Sequence, residues 1–149
     1  MANGLENYLK GLEERLNATE VQAGFFPDAT YPDGTKVAEV AASDEYGDPG
    51  NNQPPRPFFR QAIAEHKEEW SDDIARGMAS GLDARTVLDA VGAKIQGDIQ
   101  QSIASLMDPP LSPVTIARRR NRKERPNKST KPLVDTRVMI TSVNYEVKD

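Results

Sequence analysis

The chain has 149 residues, no cysteine, 19 Lys and Arg against 23 Asp and Glu, and a formal net charge of −4. That length fits one domain, residues 1–149, large enough for a real core. The lack of cysteine excludes a disulfide framework, a thiolate metal site and a cysteine nucleophile.

The chain begins with Leu5, Tyr8, Leu9, Leu12 and Leu16 at helical spacing, with Glu6, Lys10, Glu13, Glu14 and Arg15 on the other face. This predicts an amphipathic helix over residues 4–17, within an N-terminal segment of residues 1–18. Val21, Ala23 and Phe25 then alternate with Glu20, Gln22 and Gly24, the pattern of a strand buried on one face, and Pro27-Asp28 ends it. Tyr31-Pro32-Asp33-Gly34 is turn chemistry. Val37, Val40 and Ala41 share one face of a predicted helix over 36–46 that stops at Gly47.

Residues 47–57, Gly-Asp-Pro-Gly-Asn-Asn-Gln-Pro-Pro-Arg-Pro, fit neither a helix nor a central strand and read as an extended, proline-rich arm or loop. Pro57 opens a helix through Met78, with Phe59, Ile63, Trp70, Ile74 and Met78 on one face. Asp83 is an N-cap for the strongest periodic signal in the chain. Its stripe of Val87/Leu88, Val91, Ile95, Ile99, Ile103 and Leu106 steps by three and four to a stop near Met107. Gly92 and Gly97 weaken that helix by about 1 kcal/mol each relative to alanine, so close approach by another helix is expected to offset them.

Ser112-Pro113 is a good helix start, an N-cap before a first-position proline. The predicted basic helix over 112–125 runs into Arg118–Arg120, and Pro126 ends it. Arg118, Arg119, Arg120, Arg122, Lys123, Arg125, Lys128 and Lys131 face one acid, Glu124. Residues 118–131 are therefore positive by seven and the remainder negative by eleven, a polarity hidden by a pI near 5.1. A block of like charge must be solvated or meet an anionic partner, either DNA phosphate or an acidic protein surface. The block contains no aromatic side chain to stack bases, which argues against single-strand readout. Val143, Tyr145 and Val147 alternate in a last strand suited to pair with the first. Two strands are marginal alone, so a third is expected from residues 136–141 or from a neighbouring subunit.

The expected architecture is α+β: several amphipathic helices on a small antiparallel sheet, with the extended proline-rich loop. No apolar run approaches the roughly 20 residues of a membrane span. The first residues lack signal-peptide character, so assembly in a cytoplasm is expected. His66 is the only histidine. With Glu69 or Asp73 it has the spacing of a base or a ligand pair, but a metallopeptidase helix needs a second histidine where Trp70 stands, and a solvated helix face is the simpler reading. Gly47-Asp48-Pro49-Gly50 lacks the lysine and hydroxyl of a phosphate loop. An enzyme is not expected, and neither a cofactor nor a metal is expected. Pro55, Arg56, Pro57, Phe58 and Phe59 are a candidate subunit interface, the alternative being that the two phenylalanines fill their own core.

Three stretches carry a resemblance. The first is Gly24-Phe25-Phe26 with the run from Tyr31-Pro32-Asp33-Gly34 to Ala41 and Glu45-Tyr46-Gly47. The second is Pro54-Pro55-Arg56-Pro57-Phe58-Phe59-Arg60. The third is Leu111-Ser112-Pro113-Val114-Thr115-Ile116-Ala117 followed by Lys131-Pro132-Leu133-Val134-Asp135-Thr136. In this order, over most of residues 20–147, the chain resembles the neck and tail-completion (virion morphogenesis) proteins of long-tailed bacteriophages. One departure is Arg137, where the family pattern usually continues with glycine. The resemblance implies a non-enzymatic structural protein of the virion. It would form a homo-oligomeric ring, six-fold or related, at the head–tail junction or tail top, touching adjacent neck or tail proteins with DNA in its channel. The alternative reading is a double-stranded DNA-binding regulatory module using the basic helix.

Overall fold

The computed structural model describes residues 3–106 and 137–149. Their order is α1 (Gly4–Arg15), β1 (Glu20–Phe25), α2 (Val37–Tyr46), a 3-10 turn (Pro49–Asn51), α3 (Phe58–Ala79), α4 (Ala84–Ser105), α5 (Val138–Ser142) and β2 (Val143–Lys148). The class is α+β: among the described residues, helices stand with a two-stranded antiparallel sheet. The Ser112-capped helix, the basic block of residues 118–131 and the stretch Lys131-Pro132-Leu133-Val134-Asp135-Thr136 lie outside the described residues.

The predicted stripe of α4 is the side of that helix that is buried. Val87, Leu88, Val91, Ile99 and Ile103 are all buried along it. They serve three apolar clusters in turn. Leu88 and Ala84 meet Ala18, Val21 and Val147 at one end, and Val87 and Val91 meet Trp70, Ile74 and Met78 of α3 in the middle. At the other end Ile99, Ile103 and Leu106 meet Val37 and Ala41 of α2, Phe58 and Ala62 of α3, Met139 of α5 and Val143. The helix starts where the sequence places it: the Asp83 carboxylate accepts the Thr86 N–H.

β1 and β2 pair in the register Val21↔Val147, Ala23↔Tyr145, Phe25↔Val143, which sets the alternating apolar residues opposite one another on one face. The expected third strand is not what completes this sheet among the described residues. Residues 138–142 form α5 instead, and α4 covers the sheet, which is the other way two strands become stable. Arg137 has φ 63° and ψ −4°, so the chain enters α5 through the left-handed region that glycine occupies without cost.

Close approach at glycines fixes the spacing of these layers. A Cβ on Gly92 would collide with the Tyr145 ring, so the partner that comes close is the sheet and not the helix expected from sequence. The helix–helix approach lies at Gly77, where a Cβ would sit 2.8 Å from Val87 Cγ2. Among the described residues nothing stands within 4 Å of a Cβ on Gly97.

α1 starts where predicted and ends at Arg15, two residues short of the predicted 4–17, and none of its residues is buried. Asn3 caps it by accepting the Glu6 N–H at 2.8 Å, and Arg15 ties its far end to the carbonyls of Met78 (2.6 Å) and Leu82 (3.4 Å). Leu5 and Tyr8 are each 65% exposed, Leu16 54% and Leu9 52%.

The two glycines of α4 make opposite tests. Gly97→Ala is expected to raise stability by about 0.5–1 kcal/mol through helix propensity alone. Gly92→Ala is expected to cost about 1–3 kcal/mol, because the Tyr145 ring must move. Urea unfolding followed by circular dichroism separates them, and equal effects would contradict the close approach of α4 to the sheet.

Candidate functional site

The chain's second motif stretch, Pro54 to Arg60, is held by a carboxylate from the first. Glu45, on the last turn of α2, is only 5% exposed. Its two oxygens accept the backbone N–H groups of Phe59 (2.9 Å) and Arg60 (3.1 Å), the open donors at the start of α3. The Arg60 side chain completes the clamp, donating from Nε to Glu45 Oε1 at 2.9 Å and from Nη2 to the Glu45 carbonyl at 3.0 Å. Arg60 also lies over the Tyr46 ring, 5.2 Å from its centroid. Pro57, at the N-cap position, supplies no side-chain acceptor, so the cap comes from 14 residues upstream. No short-range capping pattern announces it.

Between these anchors residues 47–57 turn back on α2. Asp48 pairs with Gln53 around the Pro49–Asn51 turn, Gln53 Nε2 donates to Asp44 at 2.6 Å, and the Arg56 N–H donates to the Asp44 carbonyl at 2.6 Å. Gly47 has φ 79°, and a Cβ there would sit 2.9 Å from Gln53 O and Pro55 N, so this corner admits glycine on both grounds.

The five residues proposed from sequence as a subunit interface are divided by this arrangement. Phe58 is 1% exposed and packs in its own core, edge-on to Phe25 at 6.1 Å. That ring is therefore an internal contact of this chain. Arg56 is buried at 7% exposure. Phe59 is half-buried, edge-on to Phe58 and against Gly24. Pro55 is exposed and Pro57 half-buried. These two prolines edge a cleft of about 740 Å³ between α3 and α4, lined also by Gln61, His66, Asp98 and Leu106.

His66 stacks on Trp70, with ring centroids 6.0 Å apart and 22° between planes. Its Nδ1 lies 3.3 Å from Glu69 and 3.8 Å from Asp98. Asp98 is already engaged, accepting the Trp70 Nε1–H at 2.7 Å. Asp73, the other acid at helical spacing from His66, turns away to pair with Lys94 at 2.7 Å and with Arg76. Hydrogen bonding to Lys94 holds the Asp73 and Glu69 carboxyls below their usual range. In return, Asp73 and then Glu69 push the Lys94 ammonium up. This is a surface tie between α3 and α4, and solvent screening makes such ties weak. Among the described residues no group of three His, Asp or Glu is placed to hold a metal ion.

A second polar junction joins α1 to α4. Asn17 Oδ1 accepts the Arg85 N–H at 2.9 Å while Asn17 Nδ2 donates to Asp83 at 2.9 Å, so one amide completes the cap of α4. Hydrogen bonds from the Thr86 hydroxyl, Asn17 and the Thr86 N–H pull the Asp83 carboxyl down to about 2. The basic candidates Arg118, Arg119, Arg120, Arg122, Lys123, Arg125, Lys128 and Lys131 lie outside the described residues.

Two predictions follow from these junctions. Glu45→Ala leaves two N–H groups at the head of α3 without acceptors and is expected to cost about 2–3 kcal/mol, with Glu45→Gln in between. Denaturant unfolding measures this, and a loss under about 0.5 kcal/mol would show that α3 does not depend on that cap. For Asp83 the folded value lies below the ordinary 3.8, so its contribution is full above about pH 4 and disappears as pH falls through about 2. Asp83→Ala is expected to lower the melting temperature by roughly 2–4 °C at pH 7. That gap should close on acidification, and a gap unchanged near pH 2 would mean the carboxylate charge is not what holds the junction.

Comparison with known proteins finds no family model that matches the chain, and no significant match among curated proteins or solved structures.

Proposed function

We propose that the chain is a structural component of a bacteriophage virion. It would be one subunit of a homo-oligomeric ring in the neck or at the tail top, serving head–tail joining or tail completion around the DNA channel. The observation that carries this reading is the meeting of the first two stretches of the resemblance. Glu45 of the first caps α3 at Phe59 and Arg60 of the second. Phe25 packs edge-on to Phe58, and the Phe59 ring lies beside Gly24. Residues far apart in sequence thus support one corner of the fold, which is what a shared structural pattern requires.

On this reading the proline-rich segment and its cleft serve a neighbouring subunit. Pro55, Pro57 and the open edge of Phe59 are the parts of that segment within a neighbour's reach. Residues 118–131 meet an acidic surface of an adjacent neck or tail protein, or duplex DNA without sequence preference, because their charge needs an anionic partner. Assembly takes place in the host cytoplasm, with no enzymatic step and no cofactor.

The test is assembly. The purified chain, imaged by electron microscopy alone and with the neighbouring neck and tail proteins of its phage, is expected to form closed rings or to join theirs. Virions are expected to contain it by mass spectrometry. A chain that stays monomeric and is absent from virions would overturn the proposal. Titration with duplex DNA at several salt concentrations separates the regulatory alternative, which demands submicromolar binding, a steep salt slope, and loss of both in the combined Arg118, Arg119 and Arg120 to Ala variant.

A further inference from the structure

Arg56 is a buried cation without an anion among the described residues. It is 7% exposed, and its Nε is closed off from solvent with no acceptor. The two terminal nitrogens have no hydrogen bond or ion pair to a described residue either, but they are not among the atoms closed off from solvent. Four other arginines show what is ordinary in this chain. Arg15 donates to the carbonyls of Met78 and Leu82, Arg76 pairs with Asp73, and Arg85 pairs with Asp149. The contrast is greatest with Arg60, whose side chain is 57% exposed and yet holds the buried Glu45 carboxylate. That carboxylate is committed to the head of α3, where it accepts two N–H groups and Arg60 Nε.

The backbone presents Arg56 from a fixed point. Pro55 and Pro57 restrict φ on both sides of it. Its N–H donates to the Asp44 carbonyl at 2.6 Å, and its carbonyl accepts the Phe58 N–H at 2.8 Å. A guanidinium keeps its proton at any pH at which a protein is folded, so burial cannot be relieved by neutralisation as it can for lysine or a carboxylic acid. An unpaired charge out of water is strongly unfavourable, and an opposite charge with good hydrogen-bond geometry offsets much of that. The flat fork of donors matches two oxygens of one oxyanion.

We infer that Arg56 binds an oxyanion supplied from outside its own chain, either a carboxylate of a second copy or a free phosphate. Outside residues 118–131 the sequence is negative by eleven, so a second copy has many carboxylates to offer. Pro55, next to Arg56, is exposed where such a copy would approach. Inorganic phosphate presents the same pair of oxygens. The site does not rest on the ring proposal, since either source serves a chain that forms no ring.

Arg56→Met removes the charge and keeps much of the apolar stem. In dilute chloride buffer the full-length variant is expected to melt roughly 3–6 °C above the wild type, because an uncompensated charge is gone. Phosphate raises any melting temperature through its exclusion from protein surfaces, so the reading is the difference between the two proteins at constant ionic strength. A free-anion site raises the wild type by roughly 3–6 °C more than the variant, saturably, as ligand linkage requires. A carboxylate of a second copy shows instead as self-association of the wild type in sedimentation velocity, weakened at least tenfold in Arg56→Met. A variant that melts at or below the wild type in chloride, or does not fold, means that the guanidinium is satisfied within its own chain and overturns the inference. So do two proteins that respond alike to phosphate and associate alike.

Discussion

The fold depends on one helix being buried along its whole length. α4 contributes Ala84 and Leu88 to the cluster under the sheet, Val87 and Val91 to the seam with α3, and Ile99 and Ile103 to the cluster that joins α2, α3, α5 and β2. Its distance from its neighbours is set where side chains are missing. Gly77 lets Val87 sit against α3, and Gly92 lets the Tyr145 ring lie on α4. A two-stranded sheet has too little apolar face to stand alone, so the sheet exists because α4 covers it.

The second constraint is Glu45. A carboxylate on α2 that satisfies the head of α3 makes the loop between them a closed unit: the ends of residues 47–57 are fixed, and Gly47 turns the chain at a corner where no other residue fits. The arrangement carries a cost that locates its purpose. A carboxylate that is nearly buried loses hydration and recovers it only through well-placed donors. Four donor contacts converge on Glu45, three on the carboxylate and one on its carbonyl. The corner holding Phe58 and Phe59 is consequently rigid.

What the sequence made legible and what it hid divide along a physical line. Periodicity reports that one face of a segment is apolar, and so the extents of α2, α3 and α4, the Asp83 cap and the pairing of the two strands followed from spacing and turn residues. Periodicity does not report what covers the face. Leu9 and Ile99 sit in equally good helical stripes, yet one is half in water and the other is 1% exposed. The Glu45 cap was hidden because its partners lie 14 and 15 residues away, beyond the reach of any local capping pattern. Gly92 was visible as an anomaly, but spacing gave no way to know that the close neighbour was an aromatic ring on a strand. Of the candidate site, the segment around Pro55 to Phe59 was legible as unusual, while the inward turn of Phe58 was not, because an aromatic after a proline suits a core as well as an interface.

Phe58 and α1 are held in place by different kinds of contact. Phe58 is covered because α2, α4 and β1 converge on it and the Glu45 cap fixes the start of its helix. α1 is attached at one end only, by Arg15 to two backbone carbonyls and through Asn17 to the start of α4. Those are polar, directional contacts, and they set where the helix points while Leu5, Leu9 and Leu16 stay half or more exposed. Apolar contacts would have drawn the stripe inward, because burial is favourable in any direction that removes it from water. Hydrogen bonds at the base hold the helix, and among the described residues Leu5 and Leu9 remain more than half exposed.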